Sequence, residues 1–123
     1  MKLGSFLVLA TIVAAGFGLA LLLVPAQLVA LYGVKLTPAT EVIGRIAGST
    51  NLGLAIIFWS IRNASSAEAV KPAMLAGLIA SGLICLIVLH ATATGLLNAL
   101  GWGLVAINGL LAFGFGYFYF GKR

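Results

Sequence analysis

Hydrophobic positions run along the chain in four long stretches, separated by short segments that contain most of its charged residues. The stretches cover approximately residues 3–24, 42–61, 73–89 and 96–120. Each is close to the roughly 20 apolar residues that a helix needs to cross a bilayer. Because lipid offers no hydrogen bonds, the backbone of each stretch must pair within itself, which requires an α-helix. The pattern predicts an all-α fold: a transmembrane four-helix bundle with short loops.

Proline, glycine and threonine mark where these helices begin and end. Pro25 follows the first stretch and suits the first turn of a brief interfacial helix, which Gly33 can end. Thr37 and Pro38 have the pattern of an N-cap and a first helical residue, just before the second stretch. We therefore expect a short helix in the connection between the first two spans.

The middle of the chain contains its only markedly polar segment, residues 62–71. The third stretch then begins either at Pro72 or at a capping box formed by Ser65 and Glu68. Residues 91–95 are expected to turn the chain into the fourth stretch. With 123 residues, the chain has room for little besides these spans, and residues 1–123 are expected to form one membrane domain.

Lysine and arginine residues predict how the spans are oriented. Five of them lie at the N-terminus, in the middle loop and at the C-terminus: Lys2, Arg62, Lys71, Lys122 and Arg123. Only Lys35 and Arg45 fall on the other side. By the positive-inside rule, both termini are expected in the cytoplasm. The net charge of +5 then reflects membrane topology, so no nucleic-acid partner is expected.

Composition supports a chain surrounded by lipid and argues against catalysis. Hydrophobic residues make up 63% of the sequence and charged residues 7%, with a mean hydropathy of +1.21. A soluble domain has about 25% charged residues. The sequence contains no aspartate, one histidine and one cysteine. Catalytic triads and metal sites lack their parts, so we expect no catalytic residue, no metal and no cofactor.

Small residues recur at helical spacing on one face of each stretch. Those of the second and third stretches are Gly44, Gly48, Asn51, Ala55, Gly77, Ser81 and Cys85. On the fourth stretch, the face opposite the small residues is bulky: Leu97, Leu100, Leu104, Ile107, Leu111, Phe115 and Phe118. Small faces let membrane helices approach closely, within one chain or between copies. Besides the lipid bilayer, the expected partner is therefore a homo-oligomer or a larger membrane complex.

Glu41 and Arg45 are the first candidates for a polar site. They are four residues apart on one helical face, near the outer end of the second stretch. One hypothesis is a binding site for a substrate, an ion or a lipid headgroup. The other is a structural ion pair, with Glu41 favoured by the helix dipole and Arg45 extending toward water. The sequence leaves both hypotheses open.

Four further polar residues complete the candidate ligand site. Asn51 and Asn108 fall near the middle of the second and fourth stretches, where their amides could bond to each other. They would either hold helices together or line a midplane site. His90, at the outer end of the third stretch, is an interfacial residue or a proton carrier. Asn98, near the start of the fourth, belongs to the first turn or joins the Glu41–Arg45 pair.

Several short motifs resemble those of a known family. They are Pro25-x-x-Leu28-x-x-Leu31-Tyr32-Gly33, Arg45-x-x-Gly48, Leu52-Gly53-Leu54, and the closing Trp59 and Arg62. In these motifs the chain resembles, over most of its length, the small bacterial four-helix integral membrane proteins of the DUF4345-like family. The resemblance implies a four-span architecture and a bacterial inner membrane. It implies no activity and brings no site residues.

These expectations favour a small multi-pass membrane protein that is not an enzyme. We expect a non-enzymatic accessory or self-associating scaffold component, because small faces are present and catalytic groups are missing. The alternative is a small oligomeric transporter or channel with a polar site on the second and fourth helices. Four helices seldom enclose a pathway alone, so this alternative requires at least a dimer.

Overall fold

The computed structural model describes residues 2–121, and this part of the chain contains five α-helices. They are α1 (Leu3–Leu23), α2 (Pro25–Ala30), α3 (Pro38–Ile61), α4 (Ala67–Ala93) and α5 (Gly101–Phe120). All except α2 are long and apolar enough to cross a membrane. The chain divides into two compact units, the first up to Asn63 and the second from Ala64 onward. The predicted all-α fold class, with four membrane-length helices, is confirmed.

In the first unit, α1 and α3 pack as an antiparallel pair. At one end, the start of α1 lies against the end of α3, since a Cβ on Gly4 would be 2.9 Å from the carbonyl oxygen of Arg62. Further along, a Cβ on Gly48 would be 2.6 Å from the carbonyl oxygen of Gly18. Gly18 and Gly48 are both buried. Their missing side chains therefore let the two helix backbones touch, as small residues do in membranes.

In the connection between α1 and α3, helices begin and end near the residues predicted to start and stop them. Val24 leaves the helical conformation, with φ −137° and ψ 55°, and Pro25 then starts α2. A turn after α2 ends at Gly33, whose φ of 79° is a left-handed conformation that glycine adopts without strain. Thr37 caps α3 through a reciprocal pair of hydrogen bonds, because Thr37 and Thr40 each accept the other's backbone N–H. The predicted brief helix after the first span is thus present.

In the second unit, α4 begins between its two predicted start signals, after Ser65 and before Pro72. The helix starts at Ala67, with Ser66 at the N-cap position, and it carries Pro72 inside. Ser66 forms no side-chain capping bond, and Glu68 is a first-turn acidic residue, where the helix dipole favours a carboxylate. Pro72 lies in the second turn and removes only the hydrogen bond to the carbonyl of Glu68. The helix therefore passes through the proline.

The connection between α4 and α5 comes later in the chain than predicted. α4 ends in a Schellman motif, in which the N–H of Leu96 donates to the carbonyl of Ala91 (2.9 Å) and that of Gly95 to Thr92 (3.2 Å). The motif requires a left-handed residue, which Gly95 supplies with φ 84°. Because residues 96–100 then form turns and bends, α5 is shorter than the predicted fourth stretch.

The packing of α4 against α5 contradicts one predicted face. Periodicity places Phe115 on the bulky face opposite the small residues, yet its side chain is only 1% exposed. A Cβ on Gly77 would be 2.5 Å from the Phe115 ring, so the ring fills the space left by the glycine. The exposed side of α5 instead presents Leu110, Phe113 and Phe120. Periodicity separates two faces of this helix, but the space beside Gly77 determines which large side chain is buried.

Candidate functional site

Glu41 and Arg45 form an ion pair on α3. The Nη2 of Arg45 donates to the Oε1 of Glu41 at 2.9 Å, and the two side chains are 45% and 40% exposed, respectively. Glu41 lies in the first turn of α3, where unpaired backbone N–H groups stabilise a negative charge. Spacing of four residues on one helix brings the groups together without help from another element. The sequence predicted this contact.

Arg45 also contacts α1. Its Nη1 donates to the backbone carbonyl of Leu22. The last four carbonyls of a helix have no partner within it, and Leu22 lies in the last turn of α1, just before the break at Val24 and Pro25. Arg45 therefore donates hydrogen bonds both to the C-terminal end of α1 and to Glu41 on its own helix. Sequence reasoning missed this role; the signal was Pro25, which marks a helix end whose carbonyls need donors from elsewhere.

Asn51 lies two turns further along α3, away from the ion pair. Its side chain is half-buried, and it has no hydrogen bond to another described residue of the first unit. Asn108, on α5, is also half-buried, and its Nδ2 donates to the carbonyl of Leu104 at 2.9 Å. That bond lies within its own helix. The predicted pairing of Asn51 with Asn108 stays a prediction.

His90 and Asn98 lie near the α4–α5 connection. His90 is exposed in the last turn of α4, and its backbone carbonyl accepts hydrogen bonds from the N–H and the hydroxyl of Thr94. The Oδ1 of Asn98 accepts the N–H of Leu100 at 3.0 Å, so this side chain shapes the turn before α5. The predicted first-turn role of Asn98 thus shifts to the turn that precedes the helix.

Two cations stack on aromatic rings, one in each unit. The guanidinium carbon of Arg62 is 3.7 Å from the centre of the Trp59 ring, and Arg62 also donates to the Trp59 carbonyl at 2.6 Å. The Nζ of Lys71 is 5.2 Å from the centre of the Tyr119 ring. Aromatic and basic residues of this kind are enriched where a span meets the headgroups. These pairs are suited to anchor the ends of their helices.

Replacing Arg45 by alanine should destabilise the protein, because Glu41 and the carbonyl of Leu22 lose a shared donor. We expect the free energy of unfolding to fall by about 1–2 kcal/mol, the range between an exposed ion pair and a hydrogen bond to a charged group. Titration of the detergent-solubilised protein with sodium dodecyl sulfate, followed by circular dichroism, measures this change. Arg62→Ala is the control, because the contacts of the Arg62 side chain lie within α3. Equal losses in both variants would contradict the bridging role of Arg45.

Hydrogen bonds and one ion pair are the contacts that the structure shows for the side chains of Glu41, Arg45, Asn98 and Asn108. Among residues 2–121, no group of three or more histidine, cysteine, aspartate and glutamate side chains is placed to hold a metal ion. Glu41 and Arg45 are brought together, whereas Asn51 lies apart from them on the same helix. Comparisons with protein families, curated proteins and solved structures find no match to this chain.

Proposed function

We propose that this chain is a non-enzymatic component of a membrane assembly, a self-associating scaffold or an accessory subunit. The observation that carries the proposal is how polar side chains inside the spans are bonded. Six of them donate to the carbonyl four residues earlier in their own helix: Thr11, Ser49, Thr50, Ser60, Thr92 and Asn108. Groups that bond back in this way are not offered to a substrate, and they leave helix faces that can pack.

The exposed surface supports a position in lipid. In the first unit, Ile12, Ile43 and Ile56 are all more than 60% exposed, and in the second Leu110 and Phe113 are exposed still further. Exposed side chains of this size are unfavourable in water but are the normal surface of a membrane span. Together with the four long apolar helices, they make this chain an integral membrane protein.

For orientation, we propose that both termini are cytoplasmic and that the membrane is a bacterial inner membrane. In the first unit, Lys2 and Arg62 lie at the same end of the α1–α3 pair, because α1 begins where α3 ends. Lys71 comes soon after Arg62 in the chain, whereas the opposite end has Lys35 and Arg45 as its basic residues. The positive-inside rule then favours the Lys2 end as cytoplasmic. The bacterial membrane is supported by the motif resemblance described above.

A small oligomeric transporter or channel is the second candidate. The observation that favours it is the exposure of the Glu41–Arg45 pair, whose side chains are accessible although they lie on a span. Charged residues in a span often mark an ion or substrate pathway. This function needs at least two copies of the chain, so it shares the requirement for self-association.

The test combines oligomeric state with flux. We expect fluorescently labelled protein in liposomes to show energy transfer between copies that falls as lipid is added, because association in a bilayer obeys mass action. We expect the flux of anions, cations and protons to equal that of protein-free liposomes. Light scattering in mild detergent gives the mass of the assembly.

Two results would contradict these expectations in different ways. A monomer at every protein-to-lipid ratio, with no co-purifying subunit, would overturn the scaffold proposal. Flux above background that is lost in Arg45→Ala would replace it with the transporter. Arg62→Ala serves as the matched control for the flux measurement. It also removes one positive charge, at the residue that directly follows α3.

A further inference from the structure

Asn51 places an amide in the middle of a span without a hydrogen-bond partner among residues 2–63, the described part of the first unit. It lies ten residues before Ile61, the last residue of α3, which corresponds to about 15 Å at the rise of an α-helix. That depth is about half the thickness of the hydrocarbon core. Asn108 has the same residue type and the same partial burial, but it bonds to its own helix. Within the first unit, the hydrogen-bonding groups of the Asn51 side chain are therefore left without partners.

An amide at this depth requires a specific kind of partner. The asparagine side chain has two N–H donors and a carbonyl acceptor, and hydrocarbon satisfies neither. Hydroxyl groups on α3, such as those of Ser49 and Thr50, already donate to the backbone of their own helix. A partner that both donates and accepts, presented by another helix, would satisfy the amide.

The face of α3 beside Asn51 leaves room for such a helix. On one side of Asn51, Gly48 and Ala55 are buried, and Gly48 contacts the backbone of α1. On the other side, Ala47 is exposed and Leu54 is half-exposed. The amide thus stands at the edge of the α1–α3 interface. The small side chain of Ala47 allows another backbone to approach closely at that edge.

We propose that Asn51 pairs with Asn51 of a second copy of this chain, in a contact between the two α3 helices. An amide is self-complementary, because the N–H of one copy donates to the carbonyl of the other and the reverse holds as well. A two-fold axis therefore satisfies both side chains with a single residue type, as expected for a symmetric dimer. This inference rests on the proposed self-association and names the helix and the residue that carry it.

Substitution of the amide tests the pairing. Asn51→Leu keeps the approximate size and removes both hydrogen bonds, so we expect dimer dissociation in liposomes to become about five- to tenfold easier, the factor for two interhelical bonds of average strength. Asn51→Gln keeps the amide and should retain more of the association. Asn108→Leu is the matched control and should leave the dimer unchanged. Circular dichroism of each variant checks that the helices are retained.

Cross-linking tests the geometry independently of affinity. In a Cys85→Ala background, Ala47→Cys should form a disulfide-linked dimer on oxidation, because residue 47 lies beside the proposed axis. Ile56→Cys is the control on the same helix, nine residues away and so about half a turn round, and it is exposed as well. It should give little cross-linking under the same conditions.

The possible outcomes separate this inference from the proposed function. If the wild type associates and Asn51→Leu associates equally well, the inference fails while the scaffold function stands. If the wild type is monomeric and no other subunit co-purifies with it, both fail. Coupling between Asn51→Leu and Asn108→Leu in the stability of a monomer would place the partner of Asn51 in the same chain and overturn the proposal. Equal cross-linking at residues 47 and 56 would overturn the proposed α3 face.

Discussion

Replacing Gly48 by alanine is expected to lower the free energy of unfolding by about 2 kcal/mol or more, the cost of overpacking a tight contact. The added Cβ would lie 2.6 Å from the carbonyl oxygen of Gly18 and 2.8 Å from the backbone nitrogen of Leu22. Both atoms belong to the backbone of α1, so they cannot yield unless the helix moves. Titration with sodium dodecyl sulfate, followed by circular dichroism, measures the loss.

Gly53→Ala provides the control on the same helix. A Cβ on Gly53 would have no neighbour within 4 Å. Because alanine favours a helix over glycine by up to about 1 kcal/mol, this variant should be as stable as the wild type or slightly more so. If Gly48→Ala and Gly53→Ala were equally stable, the backbone contact between α1 and α3 would be disproved.

In the second unit, Gly77→Ala should cost about 2 kcal/mol of unfolding free energy, for a different reason. The new Cβ would lie 2.5–2.7 Å from three atoms of the Phe115 ring, and this ring is almost completely buried. The obstacle is a side chain rather than a backbone, so a second substitution can relieve it. Unfolding of the single and double variants under the same conditions measures both effects.

The rescue is the decisive part of that measurement. Phe115→Leu removes the ring, so Gly77→Ala should cost less in its presence, with a coupling energy of about 1 kcal/mol or more. Gly82→Ala is the control on α4, since a Cβ there would have no neighbour within 4 Å. Additive effects of Gly77→Ala and Phe115→Leu would contradict the packing of the ring on the glycine.

Polar residues in the first unit have two distinct uses. Arg45 joins Glu41 to the carbonyl of Leu22 and so connects α3 with the end of α1. Asn51, by contrast, has no hydrogen-bond partner among the described residues of the first unit and is the residue to which we assign a role between copies. A scaffold accounts for both, because one residue stabilises the helix pair and the other brings helix pairs together. The transporter alternative assigns a further task to the exposed ion pair.

Much of the fold could be predicted from the order of residues, because the signals are local. About 20 mostly apolar residues predict a membrane-length helix irrespective of its neighbours, and four helices long and apolar enough to cross a membrane are present. Pro25, Gly33 and Thr37 act on the backbone within a few residues, so the short helix α2 and the cap of α3 were predicted correctly. The contact of Glu41 with Arg45 is equally local, since one turn of helix creates it.

What could not be predicted depends on which atoms lie opposite one another. Periodicity shows that a helix has two faces, but it does not show that the Phe115 ring packs into the space left by Gly77. Charge patterns identified Arg45, but its bond to Leu22 exists only because α1 ends beside α3. Such contacts join residues far apart in the chain. Their energies depend on distances of a few ångströms, which local patterns do not specify and packing does.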